Sequence, residues 1–179
     1  TYFAYIIDKI AVTFFPSINH NLNILLAFGT FAVSYIARPI GGIIFGIIGD
    51  KYGRKPAMYY SLVGMGIATM TIGITPAYTT IGILSPLVLI IARIIQGIAV
   101  SGETSGSAIY LIENNSKKPY LASSLTCIFS ALGMFVGAML AVIISLPALP
   151  SWGWRVPFIV SGTLCGIGIY IRYKLHESQ

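Results

Sequence analysis

A short polar turn separates two long apolar runs, and it reads Gly46-Ile47-Ile48-Gly49-Asp50-Lys51-Tyr52-Gly53-Arg54-Lys55. It holds one carboxylate, three basic residues and several glycines within ten positions. Such a cluster stands out in a chain in which 56% of the residues are hydrophobic and 9% are charged. Because a soluble domain needs more polar surface than this, the composition predicts a membrane protein.

Apolar runs on both sides of the turn are long enough to cross a hydrocarbon core of about 30 Å, which takes about 20 helical residues. They are continuous and lack the alternating polarity of barrel strands. The sequence therefore predicts an all-α membrane protein with six transmembrane helices in one domain, residues 1–179. The predicted helices are 1–15, 22–48, 57–75, 84–112, 121–146 and 155–173. The first is expected to be truncated, because it is short and is interrupted by Asp8 and Lys9.

Basic residues predict the orientation of the chain. They follow the second, fourth and sixth predicted helices, as Lys51, Arg54 and Lys55, then Lys117 and Lys118, then Arg172 and Lys174. By the positive-inside rule these ends are cytoplasmic, and so is the C-terminus. The net charge of +6 then reflects topology, and no nucleic-acid partner is expected. The sequence also indicates no metal site and no cofactor.

Four charged residues within the predicted spans stand out as candidates for a function, because a charge there costs about 2.5 to 3.5 kcal/mol on insertion scales. Arg93 has Gln96 on the same helical face, and is either an anion or proton-relay residue in a polar cavity or a buried arginine bound to backbone carbonyls. Glu103 is either a site for a cation or proton or a polar contact between helices. Arg38 precedes Pro39, which favours a structural role at a kink. Asp8 is either neutralised by its neighbour Lys9 or a lone proton site.

The polar turn itself has two readings. It is either a solvated loop that obeys the positive-inside rule or a cytoplasmic latch. Gly53 favours the latch, since topology alone does not require two glycines around one carboxylate at a helix end.

At these residues the chain resembles the major facilitator superfamily, whose loop between the second and third helices reads Gly-x-x-x-Asp-Arg/Lys-x-Gly-Arg-Arg/Lys. The positions that match are Gly46, Asp50, Lys51, Gly53, Arg54 and Lys55, and Pro56 departs from the pattern. The segment Arg93-x-x-Gln96-Gly97 is similar to the fourth-helix motif. Further stretches resemble the metabolite:proton symporters, a group that includes proline/betaine, 2-oxoglutarate and citrate carriers: Arg38-Pro39-Ile40-Gly41-Gly42, Thr80-Ile81-Gly82-Ile83, Gly102-Glu103 and Trp152-Gly153-Trp154-Arg155-Val156-Pro157-Phe158.

This resemblance covers the whole chain but only the N-terminal half of a family member. It implies a carrier of two six-helix halves with alternating access, in which the turn is the cytoplasmic gate and Arg93, Gln96 and Glu103 belong to the substrate or coupling region. The family's first-helix carboxylate segment would lie before Thr1, so Asp8 is a candidate for that role.

The resemblance implies proton-coupled symport of a small organic solute, such as proline or betaine, across a cytoplasmic membrane. The alternatives are a dicarboxylate or tricarboxylate symporter, and a fragment or membrane scaffold that does not transport. The expected partners are the lipid bilayer, the solute, protons, and a C-terminal half or a second copy of the chain. An intramembrane serine protease is excluded, because there is no Gly-x-Ser-Gly segment and His20 and His176 lie outside the predicted spans.

Overall fold

The structure is a computed structural model that describes residues 6–15, 20–114, 119–145 and 152–173. Within these ranges the regular elements are all helical, and a single 3-10 turn, Gly153–Arg155, precedes the last helix. The α-helices are α1 Ile7–Phe14, α2 His20–Ile36, α3 Arg38–Tyr52, α4 Arg54–Ile74, α5 Tyr78–Ile81, α6 Leu84–Asn114, α7 Pro119–Ser145 and α8 Val156–Tyr173.

Four segments of the described chain are long and apolar enough to cross a membrane. They are Asn21–Tyr52, Arg54–Ile74, Leu84–Glu113 and Ser124–Ile144. In the last of these, 11% of the most apolar window is buried by the rest of the chain. Such apolar surface requires lipid or another protein to cover it, in agreement with the predicted class. Spanning by α1 and α8 stays a prediction.

The predicted helix 22–48 differs most from the structure, because it divides at Ala37 into α2 and α3. Pro39 is the physical reason, since it has no backbone N–H to donate to the preceding turn. Helical bonds continue on either side: the Ala37 N–H donates to the Val33 carbonyl, and the Gly41 N–H donates to the Ala37 carbonyl. The two helices therefore run on as one apolar segment, and α3 continues to Tyr52.

Helix α6 is the central helix, and it packs against α2, α3, α4 and α7. Two glycines set its distance from the α2–α3 segment. A Cβ at Gly97 would overlap the backbone carbonyl of Ser34, and a Cβ at Gly41 would overlap the backbone of Ile98. Glycine at both positions lets the helix backbones touch, as close packing in membranes requires.

Aromatic side chains join α1 to α8 at one end of the bundle. The rings of Phe14 and Trp154 lie 6.0 Å apart, and those of Trp154 and Phe158 lie 5.9 Å apart, both edge to face. Arg155 adds a link to α4, since its Nη1 donates to the Gly73 carbonyl at 3.2 Å. Partial burial lowers the pKa of Arg155 from its ordinary value.

Candidate functional site

A cavity of about 230 Å³ lies among α2, α3, α4, α6 and α8. Polar side chains from each of these helices line it beside apolar ones. The polar lining residues are Ser34, Tyr35, Arg38, Thr69, Arg93, Gln96, Ser161 and Cys165. Polar groups from five helices meeting inside an apolar bundle mark a site that can hold a polar solute.

Arg93 and Gln96 form the polar centre of the cavity. Arg93 is 6% exposed, and its Nη1 donates to Gln96 Oε1 at 2.9 Å. Gln96 Nε2 in turn donates to Thr69 Oγ1 on α4 at 2.8 Å, and that hydroxyl donates to the Met65 carbonyl. The expected contact between Arg93 and Gln96 on one face of the helix is present. The chain of bonds holds the guanidinium in one orientation and joins α6 to α4.

Arg38 enters the same cavity from the start of α3. Its guanidinium carbon lies 3.9 Å from the ring centroid of Tyr35, which is a cation–π contact. Its position directly before Pro39 predicts a structural role at the kink. The structure places the side chain beside Arg93's cavity, so a binding role is open to it as well.

Glu103 and Asp8 lie outside the set of residues that line this cavity. Glu103 is half-buried on α6, ten residues beyond Arg93, which is a rise of about 15 Å along a helix. Asp8 is exposed on α1. Its neighbour Lys9 donates from Nζ to the Ile144 carbonyl of α7 at 2.8 Å, and among the described residues no ion pair joins Asp8 to Lys9.

The polar turn forms a second cluster at the junction of α3 and α4. Arg54 Nη1 lies 2.9 Å from Asp50 Oδ1, and Arg54 Nε lies 3.5 Å from Glu113 Oε1 near the end of α6. One guanidinium thus joins carboxylates from two helices. Gly49 makes room for it, since a Cβ there would lie 2.9 Å from Arg54 Nη1.

Gly53 makes the turn itself possible. Its φ of 97° and ψ of 159° lie in a region that is open essentially to glycine alone. Of the other residues in the motif, Lys51 lies over the Tyr52 ring at 5.4 Å, and Lys55 is half-buried. A Cβ at Gly46 would meet no atom within 4 Å, so packing among the described residues gives no reason for glycine at that position.

Thr69 and Glu113 belong to these two clusters and are not predicted from the sequence. Nothing distinguishes Thr69 in the sequence, because α4 contains several hydroxyl residues and only the packing of α4 on α6 selects this one. Glu113 had a usable signal, namely a carboxylate at the end of a span whose expected cytoplasmic side also carries the basic turn. The basic residues Lys117, Lys118 and Lys174 lie outside the described residues.

Metal chemistry has no support in the described part of the chain, where no group of three or more His, Cys, Asp or Glu side chains could hold a metal ion.

The sequence matches the family described as sugar (and other) transporter over residues 3–179. It is 42% identical to the inner membrane metabolite transport protein YhjE of Escherichia coli, over 92% of this chain and 39% of that protein. It is 38% identical to the proline/betaine transporter of Escherichia coli, over 98% of this chain and 35% of that protein. It is 35% identical to OusA of Dickeya dadantii, a glycine betaine/proline/ectoine/pipecolic acid transporter, over 98% of this chain and 36% of that protein.

The fold is similar to that of the proton:xylose symporter XylE, a solved structure of the major facilitator superfamily. The TM-score is 0.77 at 20% sequence identity, over 99% of this chain and 41% of that chain. The chain spans 35% to 39% of the length of YhjE, OusA and the proline/betaine transporter, and these curated relatives are transporters and not enzymes. The predictions of fold class, family and non-enzymatic character are confirmed. The chain belongs to the sugar (and other) transporter family, and its fold is that of the N-terminal half of a major facilitator superfamily protein.

Proposed function

We propose that the chain is the N-terminal half of a proton-coupled symporter that carries a small carboxylate-bearing solute across the cytoplasmic membrane by alternating access. Its C-terminus would be cytoplasmic. The observation that carries the proposal is the buried guanidinium of Arg93, held by Gln96 at a cavity between five helices. A charge in that position costs insertion free energy, and binding of an anionic group would make use of it.

The solute is proposed to be amino-acid-like, such as proline or betaine, since relatives over nearly the whole chain carry those names. A carboxylate would bind the guanidinium of Arg93 through two parallel hydrogen bonds. A dicarboxylate is the second candidate, and the presence of Arg38 on the same cavity favours it. Glu103 and Asp8 remain the candidates for proton coupling, and neither of them lines the cavity.

We further propose that Asp50, Arg54 and Glu113 act as the latch of the cytoplasmic gate, on the turn formed by Gly46, Lys51, Gly53 and Lys55. The side chain of Asp50 is 72% exposed, and such ion pairs contribute about 0 to 1 kcal/mol to stability. The ion pairs would instead shift the equilibrium between an open and a closed cytoplasmic gate. A contribution of this size is enough when the two conformations have similar free energies. The second six-helix half, or a second copy of the chain, would form the opposing side.

The first experiment measures uptake of labelled proline, betaine, 2-oxoglutarate and citrate into proteoliposomes that contain the chain, with and without an inward proton gradient. Gradient-dependent uptake of one solute, lost in Arg93→Ala at unchanged membrane insertion, supports the proposal. Retained uptake in that variant would remove Arg93 from the mechanism. No uptake by a correctly inserted chain would favour the scaffold, or a half that needs its partner.

The latch is tested separately by comparing Asp50→Asn and Glu113→Gln with the parent chain. Both variants should insert into the membrane and unfold as the parent chain does. The rate of uptake, or the rate at which cysteines introduced on the cytoplasmic side are chemically labelled, should change. Unchanged rates and labelling in both variants would reduce the turn to a determinant of topology.

A further inference from the structure

A groove of about 430 Å³ opens between α3 and α4, close to the turn that joins them. Each helix contributes two of the residues that line it, namely Ile48 and Tyr52 from α3 and Pro56 and Tyr60 from α4. The two residues of each pair are four positions apart, so they lie one above the other on one face of their helix. The groove therefore runs along the two helices, which is the direction of a lipid acyl chain in a membrane.

The two tyrosines leave the groove open to the surroundings of the chain. Tyr52 is 63% exposed and Tyr60 is 58% exposed, whereas Ile48 and Pro56 are half-buried. Tyrosine is common where the hydrocarbon core meets the lipid headgroups, because its ring is apolar and its hydroxyl is polar. Both helices belong to segments long enough to cross a membrane, and the groove lies near an end of each. In a membrane, phospholipid is therefore the molecule in contact with this groove.

Neighbouring side chains hold the two tyrosine rings. Tyr59 packs edge to face on Tyr60, with the ring centroids 5.6 Å apart. Lys51 Nζ lies 5.4 Å from the centroid of the Tyr52 ring. The rim of the groove thus carries two phenol hydroxyls and one ammonium group. All three can donate hydrogen bonds to the oxygens of a phosphate.

The charge beside the groove favours an anionic headgroup. Arg54 forms ion pairs with Asp50 and Glu113, whereas Lys51 takes part in no ion pair in the described part of the chain. At about 100° per residue, Asp50 lies about 200° around α3 from Tyr52. The carboxylate is therefore on the side of α3 opposite to the groove. Lys51 flanks the groove, and its positive charge is not neutralised there.

We propose that this groove binds one anionic phospholipid, whose phosphate is bound by Lys51, Tyr52 and Tyr60. The acyl chain lies along Ile48 and Pro56. This inference is independent of the solute and of proton coupling, since it requires only that α3 and α4 span the membrane. Lipid tails are as apolar as the groove itself, so contacts with the acyl chain add little affinity. The headgroup therefore decides which lipid binds.

Native mass spectrometry of the chain, released from detergent micelles, measures the affinity of the first lipid that binds. Phosphatidylglycerol and phosphatidylcholine with identical acyl chains are titrated in parallel, because they differ in net charge. Phosphatidylglycerol should bind at least about 5-fold more tightly, the effect of one basic residue beside an anionic headgroup. Lys51→Gln should lower this ratio by about 5-fold. Phosphatidylcholine binding should be unchanged in that variant, which also controls for its folding.

Ile48→Trp tests the groove, and Ile47→Trp is the matched control. The larger ring at position 48 would fill the groove and keep the lipid away from Lys51, so the ratio should again fall by about 5-fold. Ile47 is 59% exposed and lies outside the lining. Its replacement by the same ring should leave the ratio as it is in the parent chain.

Each of the other outcomes would contradict one part of the proposal. Equal affinity for the two lipids in the parent chain would overturn the anionic assignment. A preference that survives Lys51→Gln would overturn the role of this lysine. A preference that falls in Lys51→Gln but survives Ile48→Trp would show attraction by charge alone and overturn the groove as the lipid site. Loss of a dimer in Ile48→Trp, with lipid binding unchanged, would assign the groove to a second copy of the chain.

Discussion

Replacing Gly97 by alanine should separate α6 from α2 and destabilise the bundle. The new Cβ would overlap the carbonyl oxygen of Ser34 and lie 2.8 Å from its carbonyl carbon, where ordinary contacts begin near 3.4 Å. Backbone atoms cannot rotate away as a side chain can, so the helices must move apart. Forced overpacking costs about 1 to 3 kcal/mol, and the upper end applies because several backbone atoms are involved. The helix propensity of alanine returns about 1 kcal/mol, which leaves a net loss of about 2 kcal/mol.

Gly64→Ala is the matched control for this change. It adds the same methyl group on α4, facing the same helix α6, but its Cβ would lie 3.9 Å from the nearest atoms of Ile95 and Ala99. The two variants are compared by reversible unfolding in mixed micelles, followed by tryptophan fluorescence. Gly97→Ala should lower the free energy of unfolding by about 2 kcal/mol, and Gly64→Ala should leave it unchanged or raise it slightly. Equal stability of the two variants would refute the argument that α2 and α6 touch backbone to backbone at Gly97.

Two further changes test the turn and the anchoring of α1. Gly53→Ala should lower the free energy of unfolding by about 1 to 3 kcal/mol, because the φ of 97° at this position suits glycine. Gly29→Ala is the control and should change it little, since a Cβ at Gly29 would meet no atom within 4 Å. Equal losses in the two variants would argue against the turn geometry. Lys9→Met removes the hydrogen bond to the Ile144 carbonyl and should speed amide hydrogen exchange in α1, whereas Asp8→Asn should leave it unchanged. Equal acceleration by both variants would support an ion pair between Asp8 and Lys9.

The sequence predicts the all-helical class with several long apolar helices, because a long run of apolar residues can be recognised without knowing which helices pack together. It also predicts the contact of Arg93 with Gln96, since residues three apart share one face of a helix. It does not predict that Arg38 joins them. That proximity depends on which faces of the α2–α3 segment and α6 meet, and those faces are set by Gly41 of α3 against Ile98 and by Gly97 against Ser34 of α2. Small residues four positions apart, such as Gly97 and Ser101 on α6, indicate that another helix packs closely there, but not which helix it is.

The insertion free energy of the two cavity arginines indicates that they do more than pack the helices together. Two arginines within spans oppose insertion by about 2.5 to 3.5 kcal/mol each, and each also needs neighbours that hold it in place. Gln96 of the same helix binds Arg93 and is itself held by Thr69 of α4, and Tyr35 of α2 lies under the guanidinium of Arg38. A purely structural arginine would be satisfied by carbonyls at a helix end, as Arg155 is by Gly73. Side chains that cost insertion free energy, and that line one shared cavity, support the proposed role of this cavity in binding an anion.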